Sequence, residues 1–231
     1  MQKKLSTSNS EVMNSKESLY CFLLVIFSTL IVVGNITYQK FVALNFFSLH
    51  VFHLSVGAIL YPLTFLVTDI IAEFYGKDRA KFCLKLALLM NVITALIIYF
   101  MDHLSALGWS RVDDSTFSKV FGMYGVSFIG SLLACYISQT LDVFLYLLIK
   151  KITNGKFVWL RNLISTSISL FIDTIIVISF MALFGIFQWH NAQELIIGSY
   201  SFKLTFTVLN VPLFYLYLFL IRKFVLKVSI N

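Results

Sequence analysis

Two prolines, three cysteines and four histidines are all that 231 residues contain of these types, and charged side chains make up only 13% of the chain. So little charge excludes a water-soluble globule, in which about a quarter of residues are charged. Cys21, Cys83 and Cys135 lie in separate apolar runs without a C-x-x-C pair, so they code neither a disulfide framework nor a zinc site and read as small buried hydrophobes. His50 and His53 stand three apart with no carboxylate or cysteine close in sequence, and read as an interfacial polar pair at the outer start of a helix rather than as metal ligands. H-E-x-x-H, G-x-S-x-G and a phosphate-binding glycine loop are all missing, which leaves an enzyme without recognisable machinery and implies no cofactor. Pro62 and Pro212 do not occupy matching positions of two halves, so they give no sign of an internal duplication.

What the chain has instead is apolar residues, 59% of the total, with a mean hydropathy of +0.87. Six runs approach or exceed the roughly 20 residues that a helix needs to cross a bilayer: 19–38, 51–73, 82–101, 122–149, 163–186 and 202–221. They are too long for barrel strands and show no sustained alternation. The expected fold is an all-α integral membrane protein with six transmembrane helices, two of them interrupted by Pro62 and Pro212. Residues 1–17, rich in Ser, Asn, Lys and Glu, read as a disordered tail. The rest, 18–231, reads as one transmembrane domain. The first apolar run is 20 residues long and lacks a small-x-small exit, so it reads as a retained helix and not a cleaved signal.

The net charge of +7 is distributed in a pattern that points to topology rather than to nucleic acid. Lys3, Lys4 and Lys16, then Lys77, Arg79, Lys81 and Lys85, then Lys150, Lys151, Lys156 and Arg161, and finally Arg222, Lys223 and Lys227 make 14 basic residues on one side. Lys40, Arg111 and Lys119 make 3 on the other, with Lys203 inside a helix. The positive-inside bias then places both termini in the cytosol.

Polar residues inside the apolar runs fall into stripes. Asp69 and Glu73 are spaced i, i+4; Cys135, Gln139 and Asp142 follow i, i+4, i+7; Asn162, Thr166, Ser169 and Asp173 follow i, i+4, i+7, i+11; Lys203, Thr207 and Asn210 follow i, i+4, i+7. Such spacings keep each set on one helical face. An acid at the centre of a bilayer costs roughly 2.5 to 3.5 kcal/mol, so Asp69, Asp142 and Asp173 call for a shared cavity or ligand. Thr207, Ser131 and Ser138 also suit simple interhelical hydrogen bonding. Glu73 fits either the headgroup region or the site, and Lys203 either snorkels outward or pairs with an acid. Pro62 frees the carbonyl of Ala58 and Pro212 that of Val208, exposing backbone to a ligand or merely bending a helix.

The order of these residues resembles the queuosine precursor transporters within the broader vitamin uptake group. The resemblance rests on Asn35 and Gln39, the tract from Pro62 through Thr68, Asp69 and Glu73 to Gly76, and Gln139-Thr140-Leu141-Asp142. It continues through Arg161-Asn162, Ser165-Thr166, Ser169 and Asp173 to Lys203. Leu170 stands where members often carry glutamine, which removes one amide contact. The resemblance implies import, across a bacterial inner membrane, of a purine-like small molecule: a 7-deazaguanine such as the 7-cyano or 7-aminomethyl precursor, or queuine. The implied contacts are Asp69, Glu73, Gln139, Asp142, Asn162, Ser165, Ser169, Asp173, Lys203 and Asn210. A carboxylate, Asp142 or Asp69, can accept the adjacent N1 hydrogen and 2-amino group of a guanine edge, while Gln139 or Asn162 can address O6 and N7. The same group includes the substrate-binding subunits of ATP-driven energy-coupling-factor importers. The first helix lacks the A-x-x-x-A motif for such a partner, which weakens that case; a protonatable carboxylate could instead couple to a proton. A membrane-embedded enzyme using Asp69, Glu73 or Asp173 as acid and base is the alternative from a different class, without a supporting motif.

Overall fold

The computed structural model describes residues 2–38, 40–46, 50–122, 124–185, 188–221 and 223, with backbone alone for 2–14, 46, 50, 122 and 124–127. Gln39, Arg222 and Lys227, used above for the resemblance and the charge pattern, lie outside these residues. Helix α1, Gln2–Ile36, takes in the stretch read as a tail and leads to a two-stranded antiparallel hairpin of β1, Phe41–Phe46, and β2, His50–Ser55. A 3-10 turn, Val56–Leu60, hands over to α2, Tyr61–Asp102. A short α3, Asp114–Phe117, and a π turn, Ser118–Gly122, precede α4, Tyr124–Ile152, α5, Val158–Leu183, and α6, Trp189–Leu220. Among the described residues, five helices are long and apolar enough to cross a membrane: Ser15–Ile36, Val56–Asp102, Phe128–Ile152, Val158–Leu183 and Trp189–Leu220.

The hairpin corrects the expectation that residues 51–73 form one helix. Phe52 and Leu54 of β2 are buried whereas Val51 and His53 face outward, the period-2 pattern of a strand with one covered face. The inward pair packs with Ala58 and Phe202, whose ring meets that of Phe52 edge-on at 5.6 Å. Pro62 likewise does not interrupt a helix. It sits in the first turn of α2, where its missing amide hydrogen sacrifices no helical bond. Pro212 does lie inside its helix, and α6 continues past it to Leu220.

A straight helix of 42 residues would be about 63 Å long, roughly twice the hydrocarbon thickness, and α2 is not straight. Gly76 adopts φ +80° and ψ −177°, outside helical geometry and open to glycine because no Cβ must be accommodated. On either side of it, Tyr75 donates to the carbonyl of Lys16 at 2.7 Å and Arg79 clasps Glu17 at 2.6 and 2.9 Å. At the far end of α1, the residues met are Gly57, packed against Gly34, and Asn91, whose Oδ1 accepts from Asn35 at 3.2 Å. Both arms of α2 therefore start from the same level of α1 and run to the same opposite level, so the chain doubles back at Gly76. At Gly57 a Cβ would stand 2.0 Å from the Gly34 carbonyl oxygen, so α1 and the 3-10 turn meet backbone to backbone.

Burial is inverted relative to a water-soluble protein. Phe22, Leu96, Ile97, Phe100, Phe144 and Leu216 are exposed, while Asp69, Gln139, Asp142, Arg161, Ser165 and Asp173 are buried. A hydrocarbon surrounding explains both halves of that pattern. The apolar core joins Phe27 and Ile31 of α1 with Ile71, Leu84 and Ala87 of α2, Tyr146 of α4 and Phe214 of α6. Cys83 and Cys135 are buried as expected; Cys21 is exposed and corrects the reading of all three as buried.

Candidate functional site

Three helices bring their polar stripes together. From Tyr61 to Glu73 on α2, from Ser138 to Lys150 on α4 and from Asp173 back to Arg161 on α5, each stripe covers twelve residue steps, about 18 Å of helix. Because α5 runs opposite to α4 and to the first arm of α2, the three stripes align level by level.

At the level of Tyr61, the carboxylate of Asp173 accepts from Tyr61 Oη at 3.0 Å, Ser138 Oγ at 3.2 Å and Lys203 Nζ at 2.9 Å. Lys203 also donates to Thr174 Oγ1 at 3.2 Å and stands 4.6 Å from the centroid of the Tyr61 ring. It does not open the last helix but lies well inside α6, and of the two roles open to it from sequence it takes the ion pair. A buried pair of this kind offsets its desolvation only when further bonds satisfy the acid, as they do here.

One turn further, Gln139 Oε1 accepts from Thr68 Oγ1 at 3.0 Å and its Nε2 donates to Thr64 Oγ1 at 3.2 Å. Ser169 Oγ, on the α5 stripe between Ser165 and Asp173, is buried without a hydrogen-bond partner.

The next level holds the two acids that the first does not satisfy. Asp69 Oδ2 accepts from Asn162 Nδ2 and, at 3.5 Å, from Thr166 Oγ1, while its Oδ1 has no partner. Asp142 stands beside Asp69, Ser165 and Thr166, yet neither of its oxygens completes a hydrogen bond. The Ser165 hydroxyl donates instead to the carbonyl of Asn162 at 3.4 Å. Three of four carboxylate oxygens are thus buried and unpaired at one level, where each such group costs about 1 to 3 kcal/mol or more.

At the last level Glu73 Oε2 gathers Arg161 Nη2 at 2.7 Å, Lys150 Nζ at 2.8 Å and Tyr146 Oη at 3.2 Å. The Arg161 guanidinium lies 5.1 Å from the Tyr146 ring centroid and is 1% exposed. Its assignment to a solvated cytoplasmic loop is therefore corrected: Arg161 is a buried partner of Glu73. Arg161 Nε remains without a hydrogen bond.

Of the residues singled out from sequence, Asp69, Glu73, Gln139, Asp142, Asn162, Ser165, Ser169, Asp173 and Lys203 all lie on this column. Asn210 is buried on α6, seven residues beyond Lys203, and belongs to none of these networks. Sequence reasoning missed Tyr61, Thr64, Tyr146, Lys150, Arg161 and Thr174 as members. Tyr146 follows Asp142 by four residues, so extending the α4 stripe one turn would have found it.

A second polar feature lies at the hairpin. His53 Nδ1 is 2.6 Å from Glu194 Oε1, beside an open cavity of about 490 Å³ also lined by His190, Gln193 and Gly198. A carboxylate does stand next to His53, contrary to the expectation from sequence, but no group of three metal-ligating side chains exists among the described residues.

The family described as vitamin uptake transporter matches residues 55–217, which contain every level of the column. A Bacillus subtilis (strain 168) protein named "probable queuosine precursor transporter" is similar to the chain, at 30% identity over 165 residues, 70% of each protein. No solved structure matches the chain. Both family and relative are named for transport, which sets the enzyme alternative aside, and the buried polar column inside an apolar exterior is the architecture such a role demands. The chain belongs to the vitamin uptake transporter family and is a multi-pass membrane transporter.

Proposed function

We propose that this transporter imports queuosine precursors, 7-deazaguanine compounds such as the 7-cyano and 7-aminomethyl forms or queuine, for salvage into tRNA. The observation that carries the reading is the level of Asp69 and Asp142, where three buried carboxylate oxygens have no donor. A guanine-like edge presents N1–H and a 2-amino group side by side, the donors a carboxylate takes in bidentate fashion. The 7-aminomethyl form adds a cation for the second acid. Gln139 is held by Thr64 and Thr68, and Leu170 is buried and apolar, so Asn162 is the amide best placed to exchange its bond with Asp69 for one to the cargo. The name of the Bacillus subtilis relative supports the same compound class.

In this reading the chain crosses a bacterial inner membrane six times, the reversal at Gly76 separating the second and third crossings, and both termini face the cytosol. Asp173 with Lys203 then marks the outer end of the column and Glu73 with Arg161 and Lys150 the inner end. The protein works without an ATP-driven energising module.

A strain unable to make its own precursor, expressing this protein, should regain queuosine in its tRNA when one of the three compounds is supplied. Asp142→Ala at equal membrane abundance should abolish the rescue. Rescue by none of the compounds sinks the reading.

A further inference from the structure

Two acids face each other in the column with no cation between them among the described residues. Asp69 and Asp142 are both fully buried, and neither Asp142 oxygen nor Asp69 Oδ1 receives a hydrogen bond. Every described charged group around them is committed elsewhere. On α2, Glu73 is one turn away and gathers Lys150 and Arg161. On α4, Tyr146 lies near Asp69 and donates to Glu73. On α5, Asn162, Ser165 and Thr166 are neutral, and on α6 Lys203 is bound to Asp173. Two ionised carboxylates side by side repel, and among the described residues the surrounding helices supply no counter-charge.

We infer that Asp69 and Asp142 together hold one exchangeable proton, which makes this pair the ion-binding site of the transporter. A proton taken up on one carboxyl converts an acceptor oxygen into an O–H donor aimed at the facing carboxylate. The pair then carries one negative charge instead of two, and two unpaired oxygens gain a bond at once. Asp173 has no such need, since Lys203, Tyr61 and Ser138 already satisfy it. A proton needs one oxygen from each acid, and each acid has an unpaired one. The unpartnered Ser169 Oγ, on the same face of α5, offers the next hydrogen-bonding station along the column. Use of this proton to drive uptake rests on the import reading; its presence in the empty protein does not.

The test uses the full chain in lipid vesicles at neutral pH, free of sodium and of cargo, with infrared spectra compared in H2O and D2O. A protonated carboxylic acid band that shifts in D2O is expected in the wild type and in Asp173→Asn, and is expected to vanish in the Asp69→Asn/Asp142→Asn double variant. Absence of the band from the wild type, or its survival in the double variant, overturns the inference. Should the double variant not assemble, a hydrophobic carbodiimide, which attacks protonated buried acids, is applied to the wild type and the adduct mapped by peptide mass. An adduct at residue 69 or 142 supports the inference, and adducts elsewhere only, or none, overturn it. The same vesicles supplied with labelled 7-deazaguanine on the outside test uptake separately. A proton band without uptake refutes the cargo and leaves the proton site standing.

Discussion

Glu73 of α2 and Arg161 of α5 meet at 2.7 Å, with the arginine 1% exposed, although 88 positions separate them in the chain. Removing Glu73 strands the arginine charge in a medium that cannot solvate it, whereas removing Arg161 leaves Glu73 with Lys150.

Glu73→Gln should therefore lower the stability of the purified protein by about 3 to 5 kcal/mol, and the double variant Arg161→Gln/Glu73→Gln by clearly less than the two single changes added together. Thermal unfolding in detergent, followed by loss of the monodisperse gel-filtration peak, reads this directly. Additive losses would show that the contact carries no coupling energy.

The pair at the other end of the column should behave alike. Asp173→Asn leaves Lys203 without its counter-charge, and adding Lys203→Met should recover part of the lost melting temperature. Uptake is expected to stay impaired in the double variant, because restoring stability does not restore the polar end of the column.

Asp142→Asn should do the reverse, weakening uptake while leaving the melting temperature unchanged or higher. An amide donates to Asp69 as the shared proton does, so the substitution keeps the contact inside the column while removing the exchangeable proton. A large drop in melting temperature would mean that Asp142 has a structural partner in the folded state.

Gly57→Ala forces a methyl group to within 2.0 Å of the Gly34 carbonyl, and α1 must move away from the 3-10 turn. A loss of at least about 1 to 3 kcal/mol is expected, seen as reduced folded protein in the membrane fraction. Gly76→Ala meets no atom, but its φ of +80° with ψ of −177° is essentially confined to glycine, so about 1 to 3 kcal/mol is expected from the backbone alone.

In the loop before α3, hydrogen bonds from the Thr116 side chain and amide, with a further one from Ser115, hold the Asp113 carboxyl below its ordinary range. A lowered value in the folded state means that the cap contributes at neutral pH and is lost as pH falls through the folded value. The protection factor of the Thr116 amide, its exchange rate corrected for intrinsic pH dependence, should fall on acidification in the wild type and stay constant in Asp113→Asn.

Much of the column could be read from spacing. The stripes through Asp142 and through Asn162, Ser169 and Asp173 obey a rule that any helix must obey, and the reversal at Gly76 falls between the apolar runs 51–73 and 82–101. The β-hairpin could not be read in the same way, because five alternating residues in a long apolar window score as helix. Arg161 was misplaced for a different reason: a basic residue beside Lys156 looks solvated until its acid is known, and Glu73 belongs to another helix. The division of the acids into one satisfied by lysine and two left facing each other depends on how α2, α4, α5 and α6 meet, which no local pattern encodes.

The reversal at Gly76 has a practical corollary. A bend confined to one residue, with open space around it, leaves room for a short epitope or protease site without disturbing the neighbouring helices. Such a tag would give an experimenter a marker for one membrane face, placed within a few residues of where the polar column ends.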